Sequence, residues 1–129
     1  MPGRAFTALG SALYGAIDAA TPLPVYQGIA PQGGAPPYVI FNRQTGRDEY
    51  TFSSRGVSAT YQVKVLSNRQ FSGEAQAAYD SLHEGLQDAV LSVAGYTVRR
   101  VRREATVEYM DADRFWHVGG IYRVDVDEV

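Results

Sequence analysis

The chain has 129 residues, of which 45% are hydrophobic and 20% charged, and its formal net charge is −2 at pH 7. This composition is typical of a globular protein and excludes a disordered chain, so we expect one domain over residues 1–129. The absence of cysteine excludes disulfides and thiolate metal sites, and the slight negative charge excludes a strong general attraction to DNA or anionic lipid.

The N-terminal segment has the pattern of an amphipathic helix followed by a short strand. Apolar residues recur every three or four positions, which predicts a helix over residues 5–19. The two prolines within residues 21–24 end it, because proline lacks an amide donor. Residues 25–27 are predicted to form a short edge strand. No apolar stretch approaches the roughly 20 residues of a membrane-spanning helix, and no export signal is visible, so we expect a soluble protein.

A loop and two strands follow. Residues 28–37 contain three glycines and three prolines, which indicates a shaped loop without regular structure. The apolar run at 38–41 predicts a strand covered on both faces, with 42–45 as its more exposed end. The polar stretch 46–56 is interpreted as a loop, and the alternation of apolar and polar residues at 57–65 predicts the next strand.

A second helix is predicted after residue 72. Ser72 is its candidate N-cap, Glu74 suits its first turn, and apolar residues recur at helical spacing as far as Val90. Gly95 is its candidate C-cap, because glycine adopts the left-handed conformation without a side-chain clash.

Two strands at 96–109 and 115–126 are predicted to form a hairpin with a polar tip. The order of elements predicts an α+β fold, in which an antiparallel sheet of four to five strands carries two helices on one face. The hairpin register that best matches apolar and charged residues pairs Tyr109 with Trp116, Val107 with Val118, Val101 with Val124, Arg100 with Asp125 and Glu108 with His117.

Few residues have the spacing of a catalytic or metal site. His83 and His117 stand on different predicted elements without a second ligand at a metal-binding spacing, so both are interpreted as ordinary side chains. The chain lacks a G-x-S-x-G motif and the lysine of a phosphate loop. The aspartates at the hairpin tip and the C-terminus suit turns and sheet ends better than a cation. We therefore expect no enzymatic activity, no cofactor and no metal.

Arg99, Arg100, Arg102 and Arg103 form the densest charge cluster. Gathered on one surface, such a cluster would neutralise phosphates, which makes a small nucleic-acid-binding domain an alternative function. Strand alternation instead sends Arg99 and Arg103 to one face and Arg100 and Arg102 to the other. We therefore favour ion pairs, within the hairpin or between subunits, as the main use of these residues.

The stretch V-Y-Q-G-I-A-P-Q-G-G-A-P-P-Y-V-I-F at residues 25–41 resembles the phage tail completion, or tail terminator, family. An amphipathic helix precedes it, a V-x-A-x-Y-x-V-x-V strand at 57–65 follows, and an alanine-rich helix leads to a final strand pair, as in that family. The resemblance covers nearly the whole chain and depends on structural motifs, not on a reaction motif. Similar proteins occur in prophages and gene transfer agents.

The resemblance implies a virion protein, assembled in the bacterial cytoplasm, that forms a ring of generally six copies on the last ring of the tail tube protein. Such a ring stops tube polymerisation and presents a surface to the head connector or stopper protein, while viral DNA passes through its lumen. No membrane is involved. A different connector, a stopper or a minor tail protein on a similar scaffold is the alternative within the same class.

Two segments are candidate surfaces for these contacts. The 46–56 segment combines aromatic residues with both charges and is interpreted as an interaction arm, with a mobile polar loop as the alternative. The 28–37 loop is the second candidate, with a rigid connector as the alternative. The candidate interface residues are Arg47, Asp48, Glu49, Tyr50, Phe52, Arg55, Gln32, Tyr38, Arg100 and Arg102.

Overall fold

The computed structural model describes residues 2–50, 55–87 and 91–128, with the side chains of residues 2–5 and 48–50 left out. None of the helices in these ranges is long and apolar enough to cross a membrane. The predicted order of elements is confirmed. The elements are α1 (Pro2–Ala20), β1 (Val25–Gln27), β2 (Tyr38–Tyr50), β3 (Arg55–Ser67), α2 (Gly73–Gln87), β4 (Tyr96–Met110) and β5 (Trp116–Glu128).

The strands form a five-stranded sheet in the order β1-β2-β3-β5-β4. The four long strands pair antiparallel, as predicted. β1 adds a short parallel pairing to β2, opposite residues 39–41, so the sheet is mixed. β3 and β5 therefore form its centre, and among the described residues β4 is an edge strand along its whole length.

Both helices pack on the same face of the sheet, as predicted. Tyr61 of β3 and Tyr122 of β5 are paired across the centre of the sheet and are buried. The Phe41 ring lies 6.4 Å from Tyr61 and 6.3 Å from Tyr14 of α1, while Tyr79 of α2 hydrogen-bonds Tyr122. The same core contains Leu9, Leu13, Ile17, Leu82, Leu86, Val63, Val65, Val124 and Val126.

The predicted loop at residues 46–56 is wrong over most of its length. β2 continues to Tyr50 and pairs with the start of β3, ending at Tyr50 opposite Arg55. β5 already holds the other side of β3 from Gly56 onward. Each added residue of β2 therefore satisfies backbone groups at an existing strand edge, and this outweighs the polar sequence. Residues 51–54 lie outside the described ranges.

The predicted register of the β4–β5 hairpin is correct only in its middle, where Arg100 faces Asp125 and Val101 faces Val124. A bulge between Arg103 and Ala105 adds one residue to β4 and shifts every pair nearer the tip. In that part Tyr109 faces His117, Val107 faces Gly119 and Glu108 faces Val118, which corrects the three remaining predicted pairs.

The structure confirms the predicted start of α2 and contradicts its predicted C-cap. The carbonyl of Ser72 accepts a hydrogen bond from the Gln76 amide, which places Ser72 at the start of the helix as predicted. Gly95 has a positive φ of 81°, but it lies in a turn before β4, where the Tyr96 amide donates to the Val93 carbonyl. The prediction of Gly95 as the helix C-cap is therefore wrong. The last predicted helical residues, 88–90, lie outside the described ranges.

Candidate interaction surfaces

The predicted interface residues on strands fall into two groups at opposite edges of the sheet. Arg47 and Arg55 are exposed where β2 and β3 approach their connection, whereas Arg100 and Arg102 are exposed on β4. The fold therefore keeps the two groups apart within one copy of the chain. Asp48, Glu49 and Tyr50 belong to β2 by their backbone, and Phe52 lies outside the described residues.

The 28–37 loop is irregular, as predicted, and it presents Gln32 to solvent. Gly28 and Gly33 have φ values of 89° and 85°, which side chains rarely adopt. Tyr38 follows this loop but is only 9% exposed, and its ring packs edge-on against Tyr26 at 5.7 Å. Of the two predicted contact residues in this region, Gln32 is thus the accessible one.

The sheet face opposite the helices carries a buried carboxylate. Asp125 is 2% exposed, and its Oδ1 accepts a hydrogen bond from Nε of Arg123 at 3.2 Å, while Nε of Arg100 lies 3.7 Å from Oδ2. Burial alone would raise the pKa of Asp125. Hydrogen bonds from Ser58 and Arg123 and the positive charges of Arg123 and Arg99 outweigh it and hold the pKa below the ordinary 3.8.

The arginine cluster of β4 is divided, but not as predicted. Nε of Arg99 lies 3.6 Å from the carboxylate of Asp127. Asp127 shares a sheet face with Asp125, and Asp125 is the ion-pair partner of Arg100. Arg99 and Arg100 therefore lie on the same face, because the bulge preceding Arg100 breaks the alternation. The structure confirms the predicted ion pairs within the hairpin for these two arginines.

A relay of hydrogen bonds connects α2 with β4 and β5 on the helix face, and sequence reasoning missed it. Arg103 donates from Nη1 to the Tyr79 hydroxyl at 3.3 Å, the hydroxyls of Tyr79 and Tyr122 are 2.7 Å apart, and Tyr122 lies 2.7 Å from Nδ1 of His83. The Arg103 guanidinium only donates, whereas the two hydroxyls and Nδ1 exchange donor and acceptor roles with the tautomer of His83.

The surroundings keep this relay neutral at its histidine end. Burial lowers the pKa of His83 from the ordinary 6.5, and the charge of Arg103 lowers it further against the opposing charges of Asp80 and Glu84. Burial also raises the pKa of the Tyr122 hydroxyl far above 10.0. At neutral pH the imidazole of His83 and the hydroxyl of Tyr122 are therefore uncharged, and Arg103 is the cation beside them.

The second histidine has a structural role at the hairpin tip. His117 bonds through Nε2 to Oδ2 of Asp111 at 2.7 Å, and its ring stacks on Tyr109 at 4.5 Å. Oδ1 of Asp111 accepts hydrogen bonds from the amides of Asp113 and Phe115 at 2.9 and 3.0 Å, which closes the turn. Within the ranges that the structure describes, no three potential metal ligands come together.

Comparison with known proteins supplies a family for this fold. The family model of the tail completion protein gp17 matches residues 7–127. The chain is also similar to a chain in the solved structure titled virion of native gene transfer agent particle, with a TM-score of 0.71 and 16% identity over 95% of this chain and 91% of that chain. At this identity the likeness concerns the fold. No curated protein matches the sequence.

Proposed function

Because the chain belongs to the family of the tail completion protein gp17, a family of structural phage virion proteins, we propose that it forms a six-fold ring at the head-proximal end of the tail tube. The ring stops polymerisation of the tube protein and joins the tail to the connector or stopper protein of the head. Viral DNA passes through its lumen. The role is non-enzymatic and requires contact surfaces instead of a catalytic pocket.

The two edges of the sheet are the observation that best supports a ring. In the described part of the chain, no strand pairs with the outer side of β4, and β1 covers β2 only as far as Phe41. Long strand edges of this kind invite pairing with another chain, and monomeric proteins usually protect them. Here both edges carry free strand positions, which suits contacts with two neighbours.

Strand direction favours pairing between β4 of one copy and β2 of the next. β2 and β4 run in opposite directions, because each step from β2 to β3, β5 and β4 is antiparallel. Rotation about an axis parallel to the strands preserves their direction, so the two edges of adjacent copies meet antiparallel. Such a head-to-tail contact repeats around a ring, and closure leaves no edge unpaired.

The alternative of a nucleic-acid-binding domain has less support. Arg99 and Arg100 are engaged by carboxylates of β5, and Arg103 lies on the opposite face in the relay. The cluster therefore does not present one cationic surface to a phosphate backbone. A connector or stopper function on the same scaffold differs from tail termination by its position in the particle.

Deleting residues 48–53 is expected to prevent ring formation by the purified protein. The deletion removes residues 48–50 from the free edge of β2, and with them part of the proposed backbone pairing to the next copy. Light scattering measures the mass, which we expect to be six times 14.1 kDa for the intact chain and one times the chain mass for the variant. A variant that keeps the ring mass and a cooperative unfolding transition would show that this segment is no interaction arm.

A further inference from the structure

In the proposed ring, β4 of one copy can reach only part of the β2 edge of the next. β1 lies beside residues 39–41 of β2, and the amide of Gly28 donates to the carbonyl of Phe41 at 2.8 Å. This part of the edge is therefore already paired within the chain. In the described part of the chain, residues 42–50 form the free stretch of the edge.

The pairings inside the sheet show which residues lie in one row across it. Arg43 of β2 faces Tyr61 of β3, and Tyr61 faces Tyr122 of β5. Tyr122 in turn faces Arg103 of β4. Two copies that join without a shift along the strands therefore place Arg43 of one copy against Arg103 of the other. Like charges in direct opposition destabilise a strand pair, so an unshifted contact is unfavourable.

An unshifted contact would also bring β4 against β1. Tyr109, near the end of β4, lies in the row of Tyr38, so the residues just before it lie in the rows that β1 covers. A shift of four residues moves Tyr109 from Tyr38 to Asn42 and is the smallest shift that clears β1. Because this shift is even, it also keeps every side chain on its own face of the sheet.

Closure of a ring calls for a shift of similar size. Strands in a closed barrel tilt by about 35–45° from its axis, so the joined edges are displaced along each other. Each copy contributes four long strands, which at a spacing of about 4.8 Å cover about 19 Å, and four residues at about 3.3 Å cover about 13 Å. The ratio of these lengths corresponds to a tilt of about 35°. A four-residue shift therefore both clears β1 and suits a closed barrel.

The shifted register brings two opposite charges together. Glu108 lies in the row of Val39, so a shift of four residues moves it to Arg43 of the next copy. Both side chains are exposed on the helix face: Cζ of Arg43 lies 4.2 Å from the ring centroid of Phe6. Glu108 accepts a hydrogen bond from the side-chain amide of Gln76. Neither has an oppositely charged partner within the described ranges, and stacking leaves the guanidinium N–H groups free for a carboxylate.

We propose that β4 pairs with β2 of a second copy of this chain in this shifted register, in which Glu108 forms an ion pair with Arg43 of the second copy. The inference rests on the proposed ring and names the contact that sets its register. Backbone pairing attracts the two edges to each other, and the ion pair selects one register among those that backbone pairing allows.

Cross-linking with introduced cysteines tests the register. The chain has no cysteine, and residues 43 and 108 lie at opposite edges of one copy, so a disulfide between them must join two copies. Arg43→Cys combined with Glu108→Cys is expected to give disulfide-linked chains of up to six copies on a denaturing gel after oxidation. Arg43→Cys combined with Arg103→Cys is the matched control for an unshifted contact and is expected to stay uncross-linked.

Charge reversal tests the ion pair. Arg43→Glu is expected to raise the protein concentration needed for ring assembly roughly tenfold or more, which is about 1.4 kcal/mol per contact. Its combination with Glu108→Arg is expected to restore assembly. Glu84→Arg, on the exposed side of α2, is the control for the second change. Light scattering over a dilution series gives the assembly concentration, and denaturant unfolding checks each fold.

The outcomes separate this contact from the ring itself. If the unmodified chain forms a ring but the cysteines at 43 and 103 cross-link instead, or Arg43→Glu promotes assembly, the copies join without a shift and the proposal fails. If the ring forms and neither cysteine pair cross-links, β4 does not meet β2 of the next copy in either register. If the unmodified chain stays monomeric at all concentrations, both the ring and this contact are wrong.

Discussion

Gly119→Ala is expected to destabilise the protein by about 3 kcal/mol or more, the upper range for steric overpacking. A Cβ at Gly119 would lie 2.0 Å from the carbonyl oxygen of Val63 and 2.7 Å from Cα of Lys64. Both are backbone atoms of β3 and cannot rotate away, so β3 and β5 must separate at the centre of the sheet. The free energy of unfolding of a typical protein is about 5–15 kcal/mol, so a protein with this loss is only marginally stable.

Denaturant unfolding followed by fluorescence of Trp116, the only tryptophan, measures this effect. Gly15→Ala is the matched control, because Gly15 lies in the exposed part of α1 and a Cβ there meets no atom within 4 Å. We expect the control to gain about 0.5–1 kcal/mol, because alanine is the better helix former. A loss below about 1 kcal/mol for Gly119→Ala, within the range of ordinary substitutions, would contradict the close approach of β3 and β5.

Asp125→Asn is expected to cost about 1–3 kcal/mol at neutral pH, the range for a hydrogen-bonded buried charge. The change keeps the shape of the side chain but removes the charge that Arg123 and Arg100 neutralise. Because the pKa of Asp125 is lowered in the folded state, its stabilisation is complete above the ordinary pKa of 3.8 and is lost as the pH falls through the lower folded pKa. The difference between the two proteins should therefore shrink in acid.

Unfolding curves at pH 7 and at pH 3 or below test this dependence. Asp18→Asn, on the exposed face of α1, is the control and should change stability by less than about 0.5 kcal/mol. An equal loss for Asp125→Asn at both pH values would show that packing, and not the ionised carboxylate, stabilises this face of the sheet.

Periodicity predicted most of the fold. The apolar stripe of α1 and the alternation in β3 are regular because one face of each element packs against the core, where Leu9 and Val63 are fully buried. The order of the elements predicted that both helices pack on one face of the sheet. The parallel pairing of β1 was not predictable, because three residues contain no signal of strand direction.

The errors in β2 and in the β4–β5 register have a common physical cause, which is the backbone pairing of neighbouring strands. The bulges next to Arg100 and Ala105 follow from how β4 fits along β5, and no residue type marks them. Residues 46–50 are polar and look like a loop, yet they form a strand because β3 offers them an edge. Side-chain pattern alone does not encode either effect.

The candidate surfaces were predictable in part. The sequence identified the arginine cluster and the segment 46–56, which carries both charges, and their placement at opposite edges required the strand order. The relay was not predictable, since Tyr79 and His83 share one side of α2 but meet Tyr122 only through packing of the helix on the sheet. Long-range contacts of this kind are absent from local sequence patterns.

We propose that this protein ends the tail tube at its head-proximal end. Electron microscopy of particles made with and without the intact gene tests this function. We expect a ring of this protein between tube and head when it is present, and overlong or headless tails when it is absent. Tails of normal length, joined to heads without the protein, would contradict it.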